Sequence, residues 1–460
     1  MTFLRQTVGG LPRIFWMLFT VMLVNRLGAF GLLLLPTYLT SARGTTLAVA
    51  GLVTGVYGAG GAIGTLLGGV LADRWGRKPT YLAGLSTASV LMLAMGLARP
   101  VWLIAVLAGG IGLAHSLPGP ATVAAIVDVL PEADRSRAFN LQFWAFNMGG
   151  AVAASLAGLI AEASFLALFF IDGAMTAATA LAVWRLIPET LRRPATAPTS
   201  AAAAPGADDR GFVPSDAVAT ELLTADGDLR GEGERAAAQA ATVVEPGRRA
   251  GLGTVLRDRV FLTFVGLTFV LALLTVQGQS ILQLAMEGDG LRPTAYGAVV
   301  SLGGAMIVVG QLFVPRLIRG ARHATVLAGA FALLALGYSA VALAGPLWTY
   351  LAAASVWTVG QMLAAPPNAS IIAELAPAGL RGRYQGVFFL VFPAAGFVAP
   401  TVGGWSLQQL GAWHWVGCGL LGMLAAGGHL VAARARERRT DQIRVIESAA
   451  TSAVPEPAAA

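Results

Sequence analysis

Long apolar runs, separated by short polar turns, occupy most of the chain. About twenty consecutive apolar residues are what a helix needs to cross a hydrocarbon layer of roughly 30 Å. The pattern predicts helices over 14–39, 47–72, 80–98, 101–126, 138–161, 164–187, 260–285, 294–318, 323–345, 347–374, 383–410 and 412–433. That is an all-α membrane protein of twelve transmembrane helices. The first run is too long for a signal-peptide core and no small-residue cleavage pattern follows it, so it is expected to be a retained span.

One segment breaks the pattern. Residues 194–250 run from Pro194 through Ala-Pro-Thr-Ser into scattered acids (Asp208, Asp209, Asp216, Glu221, Asp226, Asp228, Glu232, Glu234), with too few large apolar residues for a core. The expectation is a disordered cytosolic linker between an N-terminal six-helix half (1–193) and a C-terminal one (251–439), with an unstructured tail over 440–460. The halves echo each other. At an offset of 246 residues Pro120 pairs with Pro366, Asp128 with Glu374, Pro131 with Pro377, Arg135 with Arg381, Arg137 with Arg383 and Gly158 with Gly404. Like-for-like pairs at one spacing point to a parallel internal repeat.

Composition agrees with the pattern: 56% of residues are hydrophobic, 12% are charged and the mean hydropathy is +0.70, so the bilayer is the solvent for most of the chain. Charge sets the topology. Arg43, Arg99 and Arg292 fall in loops on one side, Arg26 lies within a span, and the other basic residues fall on the opposite side. That side is expected to be cytosolic and to hold both termini, in the plasma membrane. The net charge of +7 is therefore a topology signal rather than a sign of nucleic-acid binding. The lone Cys418 has no disulfide partner and reads as packing.

Residues 68–78, Gly-Gly-Val-Leu-Ala-Asp-Arg-Trp-Gly-Arg-Lys, form a dense charged turn between the second and third spans. The order Gly69, Asp73-Arg74, Gly76-Arg77-Lys78 resembles the loop signature of the major facilitator superfamily. Asn25-Arg-Leu-Gly28 with Pro36-Thr-Tyr38, Leu375-Ala-Pro377 and Arg381-Gly-Arg-Tyr-Gln-Gly386 look like its twelve-helix drug/proton antiporter branch. The chain departs from that branch in span four, where Val106 or Leu107 stands in place of an arginine before Gly110-Ile-Gly112. It departs again in span five, where Gly150, Ala154 and Gly158 come without a proline. The repeat of the charged turn, Pro315 to His323, keeps its basic residues and has no aspartate.

The resemblance implies a cytosolic gate. Gly69 would let two helices approach closely. Asp73 would meet a helix N-terminus or an arginine, with Arg74, Gly76 and Lys78 completing the turn. Asp73, Arg77 and Asp128 would cluster against the start of span eleven near Gly382 and Arg383; Arg135, Glu374 and Arg381 belong to the same face. It also implies a midplane cavity, which directs attention to polar groups deep in the spans.

Counted from Ile14 at 1.5 Å per residue, Arg26 lies on the order of 18 Å into the layer. A lone guanidinium there costs at least about 2.5–3.5 kcal/mol on insertion scales, so it should face a wet cavity or an acid. It is a candidate substrate or proton-coupling residue, or a fixed ion pair. Asn25 stands beside it. Asp172 is a candidate partner or proton carrier, or a packing cap, and His115 could exchange protons near neutral pH. Gln142, Trp144, Asn147, Gln277, Gln279, Gln283, Trp357, Gln361 and Asn368 are the other cavity candidates, each able to serve as helix-to-helix glue instead.

The sequence has no Walker-type loop, metal-spaced histidine cluster or nucleophile-base pair, so neither an enzyme nor a cofactor is expected. The reading is a monomeric secondary transporter that exports a small organic solute in exchange for protons. The alternatives are a proton-coupled importer of sugar, peptide or organic anion, and a non-transporting membrane sensor.

Overall fold

In the computed structural model, residues 10–28, 30–190, 252–311, 313–377 and 380–452 are described. Every regular element among them is helical. The first part of the chain gives α1 (Arg13–Leu27), α2 (Leu47–Arg74), α3 (Arg77–Leu97), α4 (Val101–Ser116), α5 (Pro118–Val129), α6 (Glu132–Ala163) and α7 (Phe165–Leu186). The last part gives α8 (Arg259–Ser280), α9 (Leu282–Gly288), α10 (Pro293–Gly310), α11 (His323–Ala340), α12 (Leu347–Leu375), α13 (Arg381–Phe389), α14 (Val391–Leu410), α15 (Trp413–Val431) and α16 (Ala433–Ser452). Helices are what apolar segments must form where no water can satisfy the backbone. Side-chain caps mark their starts: Thr46 accepts from Val49 N–H, Ser164 from Ala167 N–H and Asp258 from Phe261 N–H.

Among the described residues, ten stretches are long and apolar enough to cross a membrane: Leu47–Arg74, Arg77–Leu97, Val101–Val129, Arg137–Ala163, Phe165–Leu186, Arg259–Ser280, Pro293–Gly310, His323–Leu343, Gly382–Leu410 and Trp413–Val431. Two of the expected spans fall short for physical reasons. The run 14–39 is interrupted after Leu27: the chain leaves the helical path at Gly28 and turns through residues 31–34, then resumes at Leu35 with a π-helical turn over Tyr38–Ala42. In α12, Gln361, Asn368 and the pair Pro366-Pro367 dilute an otherwise apolar helix.

α2 packs on both sides through glycine. One face sets Gly51 against Pro400 and Gly404, and Gly58 against Gly396, on α14; another sets Gly60 against Gly109 and Gly64 against Leu113, on α4. A Cβ at Gly51, Gly58, Gly60 or Gly64 would overlap the neighbouring backbone, and small residues are what let helices approach so closely in a membrane. Large apolar side chains such as Val90, Leu420 and Leu424 point outward, where lipid would cover them.

The linker expected over 194–250 lies outside the described residues. The tail differs from expectation: α16 continues to Ser452 although the sequence beyond Arg439 reads as unstructured. Ion pairs hold it. Glu437 meets Arg322 at 2.9 Å, Arg439 meets Asp258 at 3.4 Å, and Arg444 meets Glu374 at 3.9 Å. Arg436 is buried and donates to the His429 carbonyl at 2.8 Å.

Candidate functional site

A cavity of about 660 Å³ lies halfway along α2 and is lined from both parts of the chain. The first part contributes Asn25, Arg26, Tyr57, Tyr81, His115, Gln142, Phe146, Asn147, Gly150 and Asp172; the last contributes Thr275, Gln279, Tyr338, Trp357, Thr358 and Gln361. The volume is within the roughly 300–1,000 Å³ usual for small-molecule sites.

Arg26 sits in the last turn of α1, where the carbonyl end of the helix favours a cation. Its guanidinium carbon stands 3.9 Å from the centre of the Phe146 ring. Its Nε is buried without an acceptor. Gly149 and Gly150 make room for it: a Cβ at 149 would lie 3.0 Å from Arg26 Cβ and Cγ, and one at 150 would lie 3.4 Å from Nε and Nη2.

Asp172 on α7 does not reach Arg26. It is 1% exposed, its Oδ2 accepts the Gly31 N–H at 2.7 Å, and its Oδ1 accepts from Thr176 Oγ1 at 3.3 Å. The break after Leu27 frees backbone donors in a buried setting, and a donor left unpaired there costs free energy. Asp172 takes up one of them.

The remaining candidates divide by helix face. Gln142 and Asn147 line the cavity, and Asn147 also donates to the Phe143 carbonyl at 2.9 Å. Trp144, two residues from Gln142 and so about 200° around the helix, is not among the lining residues. Gln279 lines the cavity, whereas Gln277 turns to α14 and donates to the Ala399 carbonyl at 3.0 Å. Trp357 stacks on Tyr338 with centroids 4.9 Å apart, and Gln361 donates to Thr275 at 3.4 Å. Asn368 accepts from Thr268 at 3.3 Å and is helix-to-helix glue. Gln283 is a clasp: it accepts from Thr37 Oγ1 at 2.9 Å and donates to the Leu33 carbonyl at 2.8 Å.

The two parts of the chain are joined around the Leu47 end of α2. Besides the Gln283 clasp, Thr40 donates to Glu287 at 3.0 Å, Ala48 N–H to Gln408 at 3.0 Å, and Thr294 Oγ1 to Glu162 at 2.5 Å. The other end of α2, about 40 Å away at 1.5 Å per residue, carries the charged turn. There Arg77 meets Asp73 at 3.5 Å and Asp128 at 3.1 Å, and donates to the Ala72 carbonyl. Gly76 has a φ of +119°, a conformation that suits glycine. The helix N-terminus beside it is met by Glu189 rather than Asp73: Glu189 accepts from the N–H groups of Arg77 and Lys78 at 3.0 and 3.1 Å. Lys78 donates to the Trp184 carbonyl, Arg74 is exposed, and Arg135 donates to the Leu130 and Val127 carbonyls that close α5.

Gly69 does not make the close contact expected of it. Gly68 does, against Leu117; a Cβ at 69 would meet nothing within 4 Å, and the same holds for Gly382 and Gly386 on α13. Arg383 is exposed, Glu374 pairs with Arg444, and the Arg381 side chain lies outside the description. Gly69 of the charged turn and Gly382 and Gly386 of α13 thus face open space.

Tyr57, Tyr81, Phe146 and Tyr338 were missed as lining residues. For Phe146 the signal was present: Gln142, Phe146 and Gly150 recur every four residues and share a helix face. Tyr57 is hidden among the glycines of α2.

The profile of the Major Facilitator Superfamily matches residues 18–400 and 290–457. A gallate transporter of Pseudomonas putida is 35% identical over 134 residues, 28% of this chain and 29% of the length of that relative. The multidrug resistance protein MdtH of Shigella dysenteriae is 22% identical over 390 residues, covering 81% of this chain and 83% of its own. The crystal structure of a POT family transporter in complex with 5-aminolevulinic acid superposes with a TM-score of 0.72 at 15% identity, covering 93% of this chain and 97% of that one. That likeness is one of fold.

Proposed function

The chain belongs to the Major Facilitator Superfamily, and from that premise we propose that it is a secondary active transporter moving a small organic solute across the plasma membrane by alternating access. The observation that carries the reading is the central cavity: both parts of the chain line it, they are joined at one end of it, and glycines at the other end face open space. In this reading the membrane part is twelve helices in two six-helix repeats, with α1 and its continuation to Ala42 as the first span and α12 as the tenth. The charged turn and both termini lie in the cytosol, and the state described is open to it. The chain works as a monomer.

Protons drive the cycle outward. Moving one charge through about 100 mV yields roughly 2.3 kcal/mol, enough to sustain accumulation without ATP. The similarity to a multidrug resistance protein, over 81% of this chain, supports export. Import is the second reading, favoured by one observation: among the described residues no acid pairs with Arg26, which leaves it able to hold an anion. Proteoliposomes with an interior pH dye, screened against lipophilic drugs, sugars, peptides and organic acids under an imposed pH gradient, separate the two. Solute-dependent proton movement opposite to the solute is expected; movement in the same direction would select import. No flux with any panel member would overturn the transporter reading.

A further inference from the structure

Arg26 is a charge without a counter-charge among the described residues. One face of its guanidinium is covered by Phe146, and Gly150, lacking a Cβ, leaves room beside Nε and Nη2. Only Nε is buried without an acceptor, so the two Nη nitrogens are the donors left to the cavity that Arg26 lines. A guanidinium presented in this way offers parallel N–H groups in one plane, the pattern a carboxylate accepts in bidentate fashion. The acid in the same cavity is already engaged, since Asp172 binds Gly31 and Thr176.

The rest of the lining describes the body of the ligand. Tyr57, Phe146 and Trp357 give apolar walls, and Gln142 and Gln361 offer amides to a hydroxyl or carbonyl substituent. A bare inorganic anion would leave most of about 660 Å³ unfilled. A zwitterion would bring an ammonium, and Asp172, bound to the backbone, is not free to pair with it. Taking the transporter reading as its basis, we propose that the solute is an organic monocarboxylate with a planar aromatic body, its carboxylate seated on Arg26.

Binding tests this without any gradient. The full chain in lipid nanodiscs is titrated calorimetrically with 4-hydroxybenzoate, the neutral 4-hydroxybenzamide, the cationic 4-hydroxybenzylamine, and acetate. The carboxylate is expected to bind at least about tenfold more tightly than the amide or acetate, and the amine not at all. Arg26→Gln should lose about ten- to a hundredfold in affinity, with Arg26→Lys intermediate. Equal binding of amide and carboxylate, undiminished binding by Arg26→Gln, binding of acetate as tight as that of the aromatic acid, or no binding up to about 10 mM would each overturn the proposal. If Arg26→Gln fails to fold, the comparison of probes on the unaltered chain decides. Flux of neutral or cationic solutes without carboxylate binding would sink this inference and leave the transporter reading; carboxylate binding without flux of any solute would do the reverse.

Discussion

Thr37 donates a hydrogen bond to Gln283 at 2.9 Å, and the two residues stand 246 apart in the chain, the offset at which the sequence repeats itself. Residues equivalent under a two-fold relation touch each other only where the axis passes. Other contacts at this end come in reciprocal pairs at the same offset. Thr294 N–H donates to Glu162 and Ala48 N–H donates to Gln408; Gly158 packs on Pro293 and Gly404 packs on Leu47. Reciprocity of this kind supports two halves that close over the cavity by the same surface.

If Gln283 is the clasp at the axis, weakening it should release that end. Gln283→Ala removes the bonds to Thr37 and Leu33. With about 1 kcal/mol for each of the two neutral hydrogen bonds, the equilibrium should shift roughly thirtyfold toward opening. Spin labels on loops at the two ends, read by pulsed electron resonance, would report it. Unchanged distance populations would contradict the clasp.

Glu287 should make the same closure depend on pH. Partial burial at the closed end pushes its carboxyl above the ordinary glutamate range, opposed by hydrogen bonds from Thr40 and Thr37. The closed form then holds its proton to higher pH than the open form, where the group returns to water. Closure is favoured below the ordinary value and loses that advantage as pH rises through the raised one. The closed population should grow on acidification through a window just above the usual glutamate pKa, and Glu287→Gln should flatten the response. A flat profile in the unaltered protein would remove Glu287 from the mechanism.

The sequence carried the helical architecture because bilayer thickness and backbone satisfaction leave few other solutions for runs like 47–72 or 164–187. It carried the cavity at residues whose depth or spacing is visible, such as Arg26 and Gln142. It could not give the break after Leu27: the backbone donor freed there is met by Asp172 on α7, and nothing local to either residue announces the contact. Nor could it distinguish Gln277 from Gln279, which differ only in rotation about one helix. Gly68 and Gly69 present the same difficulty, since adjacent positions point about 100° apart and one alone meets Leu117.

Gly64 and Gly69, both on α2, give a paired test of rigid packing against motion. A Cβ at position 64 would overlap the Leu113 backbone, so Gly64→Ala should destabilise the fold, by about 1–3 kcal/mol on the scale of overpacked cores, and lower the melting temperature in detergent. Gly69→Ala should leave that temperature unchanged because nothing lies within 4 Å. Alternating access requires the open end to close, so Gly69→Ala should instead slow transport. Equal melting temperatures for the two variants would contradict the packing described for α2.

Asp258 gathers three partners where α8 begins. It caps the helix through Phe261 N–H at 3.1 Å, accepts from Tyr384 at 3.0 Å and pairs with Arg439 of α16 at 3.4 Å. Its side chain is 9% exposed, so water cannot replace these partners. Asp258→Ala should therefore cost more than a cap alone, which is worth about 0.5–2 kcal/mol. Asp258→Asn keeps an oxygen for the cap and loses the ion pair, so it should fall between the two. α16 buries Ala433, Arg436, Thr440 and Ile443 along one face, and this pair is the least exposed of its ion pairs. Hydrogen exchange over residues 433–444 should rise in both variants, and more in Asp258→Ala. Unchanged exchange there would mean that α16 is held by something other than Asp258.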